Sequence, residues 1–122
     1  MKPVLLSLTV SAFLLSAASV AQAQTGLKIY ADNCAACHGP TLQGMPELAS
    51  PQLAGPAFKK TWAKRTVGDL YTQTMTTMPS GDPGSLGERA YLEVVKYIMG
   101  KNNQPIPANA QRDQLAKIAI KP

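Results

Sequence analysis

The sequence has 122 residues, with 12 Lys and Arg against 7 Asp and Glu, and a formal net charge of +5. This positive excess is modest and is not concentrated in long runs, so it does not indicate a nucleic-acid-binding protein. A chain of this length has a small hydrophobic core, and a large apolar prosthetic group would stabilise it substantially.

Residues 1–23 have the pattern of a secretory signal peptide. A positive start at Lys2 is followed by a long apolar run, and the tripeptide AQA ending at Ala23 supplies the small residues that a signal peptidase reads. We therefore expect export to the periplasm, cleavage after Ala23 and one mature domain over residues 24–122, with no stable membrane insertion afterwards. The alternative is an uncleaved membrane anchor, because the run is not much shorter than a spanning helix.

Four helices and no alternating strand pattern are predicted in the mature domain, which makes it all-α. The first helix begins at Thr25, which can cap it, and places Leu27, Tyr30 and Ala31 on one face. A loop rich in Gly and Pro follows, and a short second helix carries Trp62, the only tryptophan. The predicted helices cover residues 25–35, 58–64, 67–76 and 86–99.

Capping boxes start the third and fourth helices in this prediction. Thr66 with Asp69 opens the third helix, and Ser85 with Glu88 opens the fourth. Gly100 supplies the stop after the fourth helix. The polar C-terminal segment is predicted to contain a short helix, and three apolar residues there are expected to face the core: Leu115, Ile118 and Ala119.

Both cysteines and the single histidine lie within five consecutive residues, with Cys34, Cys37 and His38 in the order CAACH. Cysteines three apart at the end of a helix project from one side, so they can form thioethers with the two vinyl groups of a haem. His38 then reaches the iron from the same side, which is the attachment signature of c-type haem. A dithiol redox pair is disfavoured because the motif follows a helix rather than a strand, and a zinc site lacks a fourth cysteine or histidine.

A six-coordinate haem iron needs a second axial ligand opposite His38. No second histidine exists, so methionine is the natural donor, and it raises the reduction potential. Met78 is the leading candidate because the following proline favours an extended backbone, which suits a loop that folds over the haem. Met75 is the next candidate. Met75 and Met99 lie in helical patterns, where methionine is more often a core residue, and Met45 lies in the loop after the motif.

The sequence contains one group of basic residues that comes close to a charged patch: Lys59, Lys60, Lys64 and Arg65. An ordinary solvated face is one interpretation. The other is a steering surface for an acidic partner, where charge raises the encounter rate more than the affinity.

The mature sequence resembles the class I c-type cytochromes over essentially its whole length. Its CAACH motif matches the attachment motif of that family. Gly26 and Tyr30 precede Cys34 by eight and four residues, as the first-helix glycine and aromatic residue of the family do. The resemblance implies that these two residues pack against the last helix, where the matching partners are Val94 and Tyr97.

Three further features of the sequence match the family. Met78 matches its axial methionine, and the stretch PQLAG, from Pro51 through Leu53 to Gly55, looks like its Pro-x-Leu-x-Gly loop. In that family the proline carbonyl accepts a hydrogen bond from the ligand histidine, which fixes the orientation of the ring. Trp62 is similar in placement to a tryptophan near a haem propionate, and an ordinary core position is the alternative.

The resemblance implies a small cytochrome c fold of three to five helices around one covalent haem c, and an electron carrier rather than an enzyme. The run MPSGDPGSLGERAYLEVVKYI is most similar to small exported cytochromes that serve quinoprotein dehydrogenases. We expect a monomer, or a transient complex, that shuttles single electrons between periplasmic redox proteins, for example from such a dehydrogenase toward a terminal oxidase or another cytochrome. One alternative is a haem subunit fixed in a dehydrogenase complex, with the segment from Lys101 as a docking arm. The other is a haem enzyme or gas binder with a labile sixth ligand.

Overall fold

The computed structural model describes residues 25–122, and their regular secondary structure is helical apart from two isolated β-bridges. The all-α prediction is therefore confirmed. The predicted signal peptide lies outside the described residues. No helix within 25–122 has the length and apolar character needed to cross a membrane. The helices are α1 (25–33), α2 (Ala35–His38), a 3₁₀ helix (Pro46–Leu48), α3 (Pro56–Trp62), α4 (Val67–Thr77), α5 (Glu88–Lys101) and α6 (Arg112–Leu115).

The first helix buries a narrower face than its sequence pattern predicts. Tyr30 is buried, but Leu27 is 48% exposed and Ala31 also faces solvent. Gly26 lies on the buried side instead. The helix is interrupted at Cys34, whose backbone angles of φ −124° and ψ −37° depart from helical values, so the predicted helix over 25–35 is two helical segments.

A proline and a capping box set the starts of α3 and α4. Pro56 occupies the first turn of α3, where its missing N–H costs nothing, so the helix begins before the predicted Phe58. In front of α4, the Asp69 N–H donates to the Thr66 hydroxyl at 3.1 Å, and the Asp69 carboxylate accepts from the Thr66 N–H at 2.8 Å. This capping box is confirmed.

The predicted boundaries of α5 are wrong at both ends. Glu88 starts the helix directly after Gly87. Because Gly87 has a positive φ of 82°, the chain changes direction there, and the Ser85 side chain makes no capping hydrogen bond to the helix. At the other end α5 continues through Gly100 to Lys101. Gly100 does not stop the helix because the left-handed backbone angle falls later, at Asn103, with φ 58°.

The C-terminal segment packs on the start of α4 partly through extended backbone. Ala119 forms an antiparallel bridge with Thr66, so its neighbours Ile118 and Ile120 point to the opposite side of the segment. Ile120 is buried, Ile118 is half-buried and Ala119 is exposed, so the predicted inward position of Ala119 is wrong. Leu115, in α6, is a fully buried core residue as predicted.

The core lies around α5, which is crossed by α1 and packs against α4. At the crossing, a Cβ on Gly26 would lie 2.7 Å from the Glu93 carbonyl oxygen and 2.9 Å from the Tyr97 Cβ. The Tyr30 and Tyr97 rings are 5.5 Å apart, and Val94 is buried. The packing of the first helix against the helix that carries Val94 and Tyr97, which the resemblance implied, is therefore present in the contact of α1 with α5. Other large, fully buried side chains are Phe58, Tyr71, Tyr91 and Met99.

Replacing Gly26 with alanine is expected to lower the free energy of unfolding by about 2 kcal/mol, because the new methyl group would enter space that the α5 backbone occupies. Denaturant unfolding measures this loss. Gly100→Ala is the matched control: its Cβ meets nothing within 4 Å, and alanine is favoured over glycine in a helix by about 1 kcal/mol. Equal stability of the wild type and Gly26→Ala would show that the two helices do not cross this closely.

Candidate functional site

The CAACH motif lies at the junction of α1 and α2. The Cys34 N–H donates to the Tyr30 carbonyl at 2.9 Å, and the Cys34 carbonyl accepts from the N–H groups of Cys37 and His38 at 3.1 and 2.9 Å. Both thiols are free, with Cys37 exposed and Cys34 half-buried. The motif therefore presents two unpaired thiols and an imidazole within about one turn of helix.

The environment of Cys34 disfavours the dithiol alternative. Burial raises the pKa of the Cys34 thiol to about 11, so it stays protonated near neutral pH. Burial raises the pKa of the Tyr30 hydroxyl to about 12, and the nearby Cys34 is a second, smaller cause. A dithiol oxidoreductase needs a lowered thiol pKa. The zinc alternative also lacks support, since no three His, Cys, Asp or Glu side chains within 25–122 are grouped to hold a metal ion.

His38 is held by the loop that follows it. The side chain is buried, with 6% of the residue exposed, and its Nδ1 lies 2.9 Å from the Pro51 carbonyl oxygen. A carbonyl can only accept, so Nδ1 carries the proton and Nε2 presents a lone pair. The PQLAG resemblance implied this contact. It prepares the imidazole to bind a metal through Nε2, so the residues present fit a haem iron.

The loop between α2 and α3 is tied back on itself close to the histidine. The Gly44 N–H donates to the His38 carbonyl at 2.8 Å, and the Leu53 N–H donates to the carbonyl of the buried Leu42 at 2.9 Å. Gly44 is required here, because its φ is 74° and a Cβ would lie 2.8 Å from the Ser50 carbonyl oxygen. These hydrogen bonds fix both ends of the stretch that carries Pro51, the hydrogen-bond partner of His38.

Asn102 supports the site, although no sequence pattern predicts this role. This residue follows α5 and is 5% exposed. Its Oδ1 accepts from the Gly55 N–H at 3.0 Å, and its Nδ2 donates to the carbonyls of Leu53 and Ile98, both at 2.9 Å. The side chain therefore joins the end of α5 to the loop that contains Pro51. No local pattern could reveal these contacts, because Gly55 and Leu53 are 47 and 49 residues away in sequence.

Met78 lies where α4 ends. Its backbone is extended, with φ −125° and ψ 150°, as the following proline predicts. Its N–H donates to the Thr74 carbonyl at 2.9 Å, and its carbonyl accepts from the Tyr91 hydroxyl at 2.6 Å. The backbone that carries the half-buried Met78 side chain is therefore hydrogen-bonded on both sides of its Cα.

The other methionines of residues 25–122 differ in accessibility. Met99 is fully buried in the core of α5, which fits its predicted role as a core residue. Met75 is half-buried inside α4, one turn before Met78, and Met45 is half-buried beside the 3₁₀ helix. Met75 therefore stays the second candidate for an axial ligand.

Replacing Tyr91 with phenylalanine is expected to lower the free energy of unfolding by about 1–2 kcal/mol, because the Met78 carbonyl loses its partner while the ring still fills the core. Denaturant unfolding measures the loss. Tyr71→Phe is the matched control: Tyr71 is equally buried, but its hydroxyl makes a longer contact of 3.4 Å with the Glu88 carbonyl, and a smaller loss is expected. Equal losses would show that the contact with Met78 contributes nothing particular.

Trp62 is a core residue at the end of α3. It is buried, its ring centroid is 6.2 Å from that of Phe58, and the Arg65 guanidinium lies 4.2 Å above its ring. The indole thus has both an aromatic neighbour and a cation over its ring. Its predicted place near a haem propionate stays a prediction.

The fold and the site together define a class of protein. An all-α chain with a CxxCH motif, a buried histidine oriented by a backbone carbonyl and a late methionine in an extended segment is a c-type cytochrome. Residues 21–98 match the family described as cytochrome c oxidase, cbb3-type, subunit III. This match covers more than half of the chain, so the chain belongs to that family. Membership implies covalently bound haem c, and Cys34 and Cys37 have the spacing that attachment requires.

A solved structure shares the fold. The sulfane dehydrogenase SoxCD from Paracoccus pantotrophus matches with a TM-score of 0.61 and 22% sequence identity, over 80% of this chain and 52% of that chain. The chain therefore spans about half the length of the SoxCD chain that it matches. No curated protein matches the sequence.

Proposed function

We propose that this cytochrome is a monohaem electron carrier of the periplasm. In this proposal it passes single electrons from a donor such as a quinoprotein dehydrogenase toward a terminal oxidase or another cytochrome. The observation that carries the proposal is the contact of His38 Nδ1 with the Pro51 carbonyl at 2.9 Å, beside the two free thiols of the CAACH motif. Export rests on the predicted signal peptide at residues 1–23.

Each part of the proposed site has a separate task. The two thiols would attach the haem, the imidazole and the thioether would ligate its iron, and the neighbouring residues would orient the imidazole or line the cofactor. Haem c supplies reversible one-electron chemistry at its iron. If both His38 and Met78 ligate the iron, no ligand position would be left for a small molecule. The proposed set is Cys34, Cys37, His38, Met78, Pro51, Leu53 and Trp62.

A second candidate is a haem subunit held permanently in a dehydrogenase complex. The observation that favours it is the shared fold with SoxCD, which is a dehydrogenase, and of whose matching chain this one covers 52%. The segment from Lys101, expected to be a docking arm in that case, instead packs on its own domain with Ile106, Leu115 and Ile120 buried, so only its exposed side chains would be left for docking. Size-exclusion chromatography separates the two candidates, because a carrier elutes as a free monomer that reacts rapidly with partners, whereas a subunit co-elutes with its dehydrogenase.

The basic group formed by Lys59, Lys60, Lys64 and Arg65 supports a transient, charge-guided encounter. The ion pairs recorded among residues 25–122 involve none of these four residues. Lys60 and Lys64 are exposed, and Arg65 covers the Trp62 ring. We propose that this group steers an acidic partner toward the cytochrome, which raises the association rate and makes it sensitive to salt.

Stopped-flow reduction by candidate periplasmic dehydrogenases, at two salt concentrations, tests the proposed function. We expect fast reduction that slows as salt rises. The Lys60→Gln/Lys64→Gln variant is expected to react about tenfold more slowly at low salt. The control, Lys28→Gln/Lys101→Gln, removes the same charge from exposed positions outside the basic group and is expected to react within about twofold of the wild type.

Two outcomes would contradict these expectations. Equal rates for both variants would remove the basic group as a steering surface. A haem-loaded protein that accepts no electrons from any dehydrogenase, at either salt concentration, would rule out the carrier function.

A further inference from the structure

The Asn102 side chain is a buried amide with all of its contacts made to backbone groups. Its Oδ1 accepts from Gly55, and its Nδ2 donates to Leu53 and to Ile98. The bond to Ile98 anchors the amide to its own helix, and the other two reach into the loop between α2 and α3. Because both the donor and the acceptor are used, and because the site excludes water, the amide has a single favourable orientation.

The loop residues that Asn102 binds are adjacent to the partner of His38. The Leu53 carbonyl, which accepts from Asn102, comes two residues after the Pro51 carbonyl, which lies 2.9 Å from the imidazole. The Leu53 N–H is bonded to Leu42 on its other side. The Pro51 carbonyl therefore precedes a short stretch that is fixed at Leu53 and again at Gly55, and it cannot move far while those bonds persist.

We propose that Asn102 is a positioning residue that fixes the His38 imidazole through segment 51–55 and thereby sets its strength as an iron ligand. The inference rests on the proposed function, in which His38 binds the haem iron. A firm Nδ1–H···O bond makes the imidazole more basic, and a more basic ligand stabilises the oxidised iron. Loosening the segment weakens that bond, so the reduction potential is expected to rise.

Gln104 offers a control of the same chemistry. Its amide also joins two backbone groups, because Nε2 donates to the Ala119 carbonyl at 2.6 Å and Oε1 accepts from the Lys121 N–H at 2.9 Å. Gln104 is two residues beyond Asn102, but it ties down the C-terminal segment rather than segment 51–55. If losing any amide side chain that joins two backbone groups had the same effect, substitutions of Asn102 and of Gln104 would both show it.

The test compares Asn102→Ala and Gln104→Ala with the wild type as haem-loaded proteins. The two measurements are the reduction potential and the NMR exchange rate of the His38 Nδ1 proton. We expect Asn102→Ala to raise the reduction potential. We also expect exchange of the His38 Nδ1 proton to be about tenfold faster, because local opening of segment 51–55 then breaks about one hydrogen bond fewer. Gln104→Ala is expected to lower stability while leaving both measurements unchanged.

Asn102→Asp provides a second variant of nearly the same shape, in case the alanine variant does not fold. It keeps the acceptor for Gly55 and loses the donor to Leu53 and Ile98, so it is expected to speed exchange of the His38 Nδ1 proton. The reduction potential is compared between the wild type and the uncharged variants, because an added carboxylate lowers the potential by itself. Unchanged exchange and potential in the Asn102 variants that fold would overturn the positioning role and leave the proposed function intact. A wild-type protein without haem would overturn the proposed function itself.

Discussion

A chain in which Cys34 and Cys37 are both replaced by alanine is expected to lose covalent haem entirely when it is produced with the machinery for export and haem attachment. The sequence has no other cysteine, so no substitute thioether can form. The product is also expected to be far less stable, because a small domain that loses a large apolar group loses much of its core. Visible absorbance and the mass of the denatured chain measure the attachment.

Ala36→Ser is the control for this experiment. It changes an exposed residue of the same motif and leaves both thiols and His38 in place, so the haem should be retained in full. Haem that stays bound to the doubly substituted chain after denaturation would show that attachment does not depend on these cysteines. Loss of haem from the serine variant would show that the motif fails for another reason.

Replacing Met78 with alanine is expected to keep the covalent haem and to lower the reduction potential. The fall should be on the order of one or two tenths of a volt, within the roughly 0.8 V over which axial ligands set haem potentials. The thioether of methionine favours the reduced iron, and its removal leaves one axial position open. Voltammetry measures the potential, and binding of carbon monoxide to the reduced protein at neutral pH reports the open position.

Met75→Ala is the matched control, since Met75 is also half-buried and lies one turn earlier on α4. It is expected to leave the potential within the error of the measurement and the iron closed to carbon monoxide. If Met75→Ala lowers the potential and Met78→Ala does not, the assignment of the two methionines is reversed. Strong carbon monoxide binding by the wild type would instead favour the gas-binding alternative.

The parts of the site that the sequence predicts are those with local causes. Covalent attachment of haem needs its residues within about one helical turn, so the CAACH motif can be recognised from consecutive residues of the sequence. The extended backbone at Met78 follows from the proline after it, and the Thr66 capping box follows from residues three apart. Each of these features depends on neighbours in the chain, and the structure shows the extended backbone at Met78 and the Thr66 capping box where they were predicted.

The features that sequence patterns did not predict depend on distant partners or on a single backbone angle. Asn102 and Tyr91 read as an ordinary polar residue and an ordinary core aromatic, and only the fold brings them to Leu53 and Met78. Ser85 stands three residues before Glu88 as a capping box requires, but the left-handed angle at Gly87 turns it away. A pattern of letters carries no information about that angle.

The helix α5 has contacts with the segment that carries Met78 and with the segment that orients His38. Tyr91, near its beginning, is bonded to Met78, and Asn102, just past its end, is bonded to Leu53. These two residues lie about 16 Å apart along the axis at 1.5 Å per residue. Inserting or deleting one residue between them would rotate one anchor by about 100° relative to the other. The length of α5 thus sets the spacing between the segment that carries Met78 and the segment that orients His38.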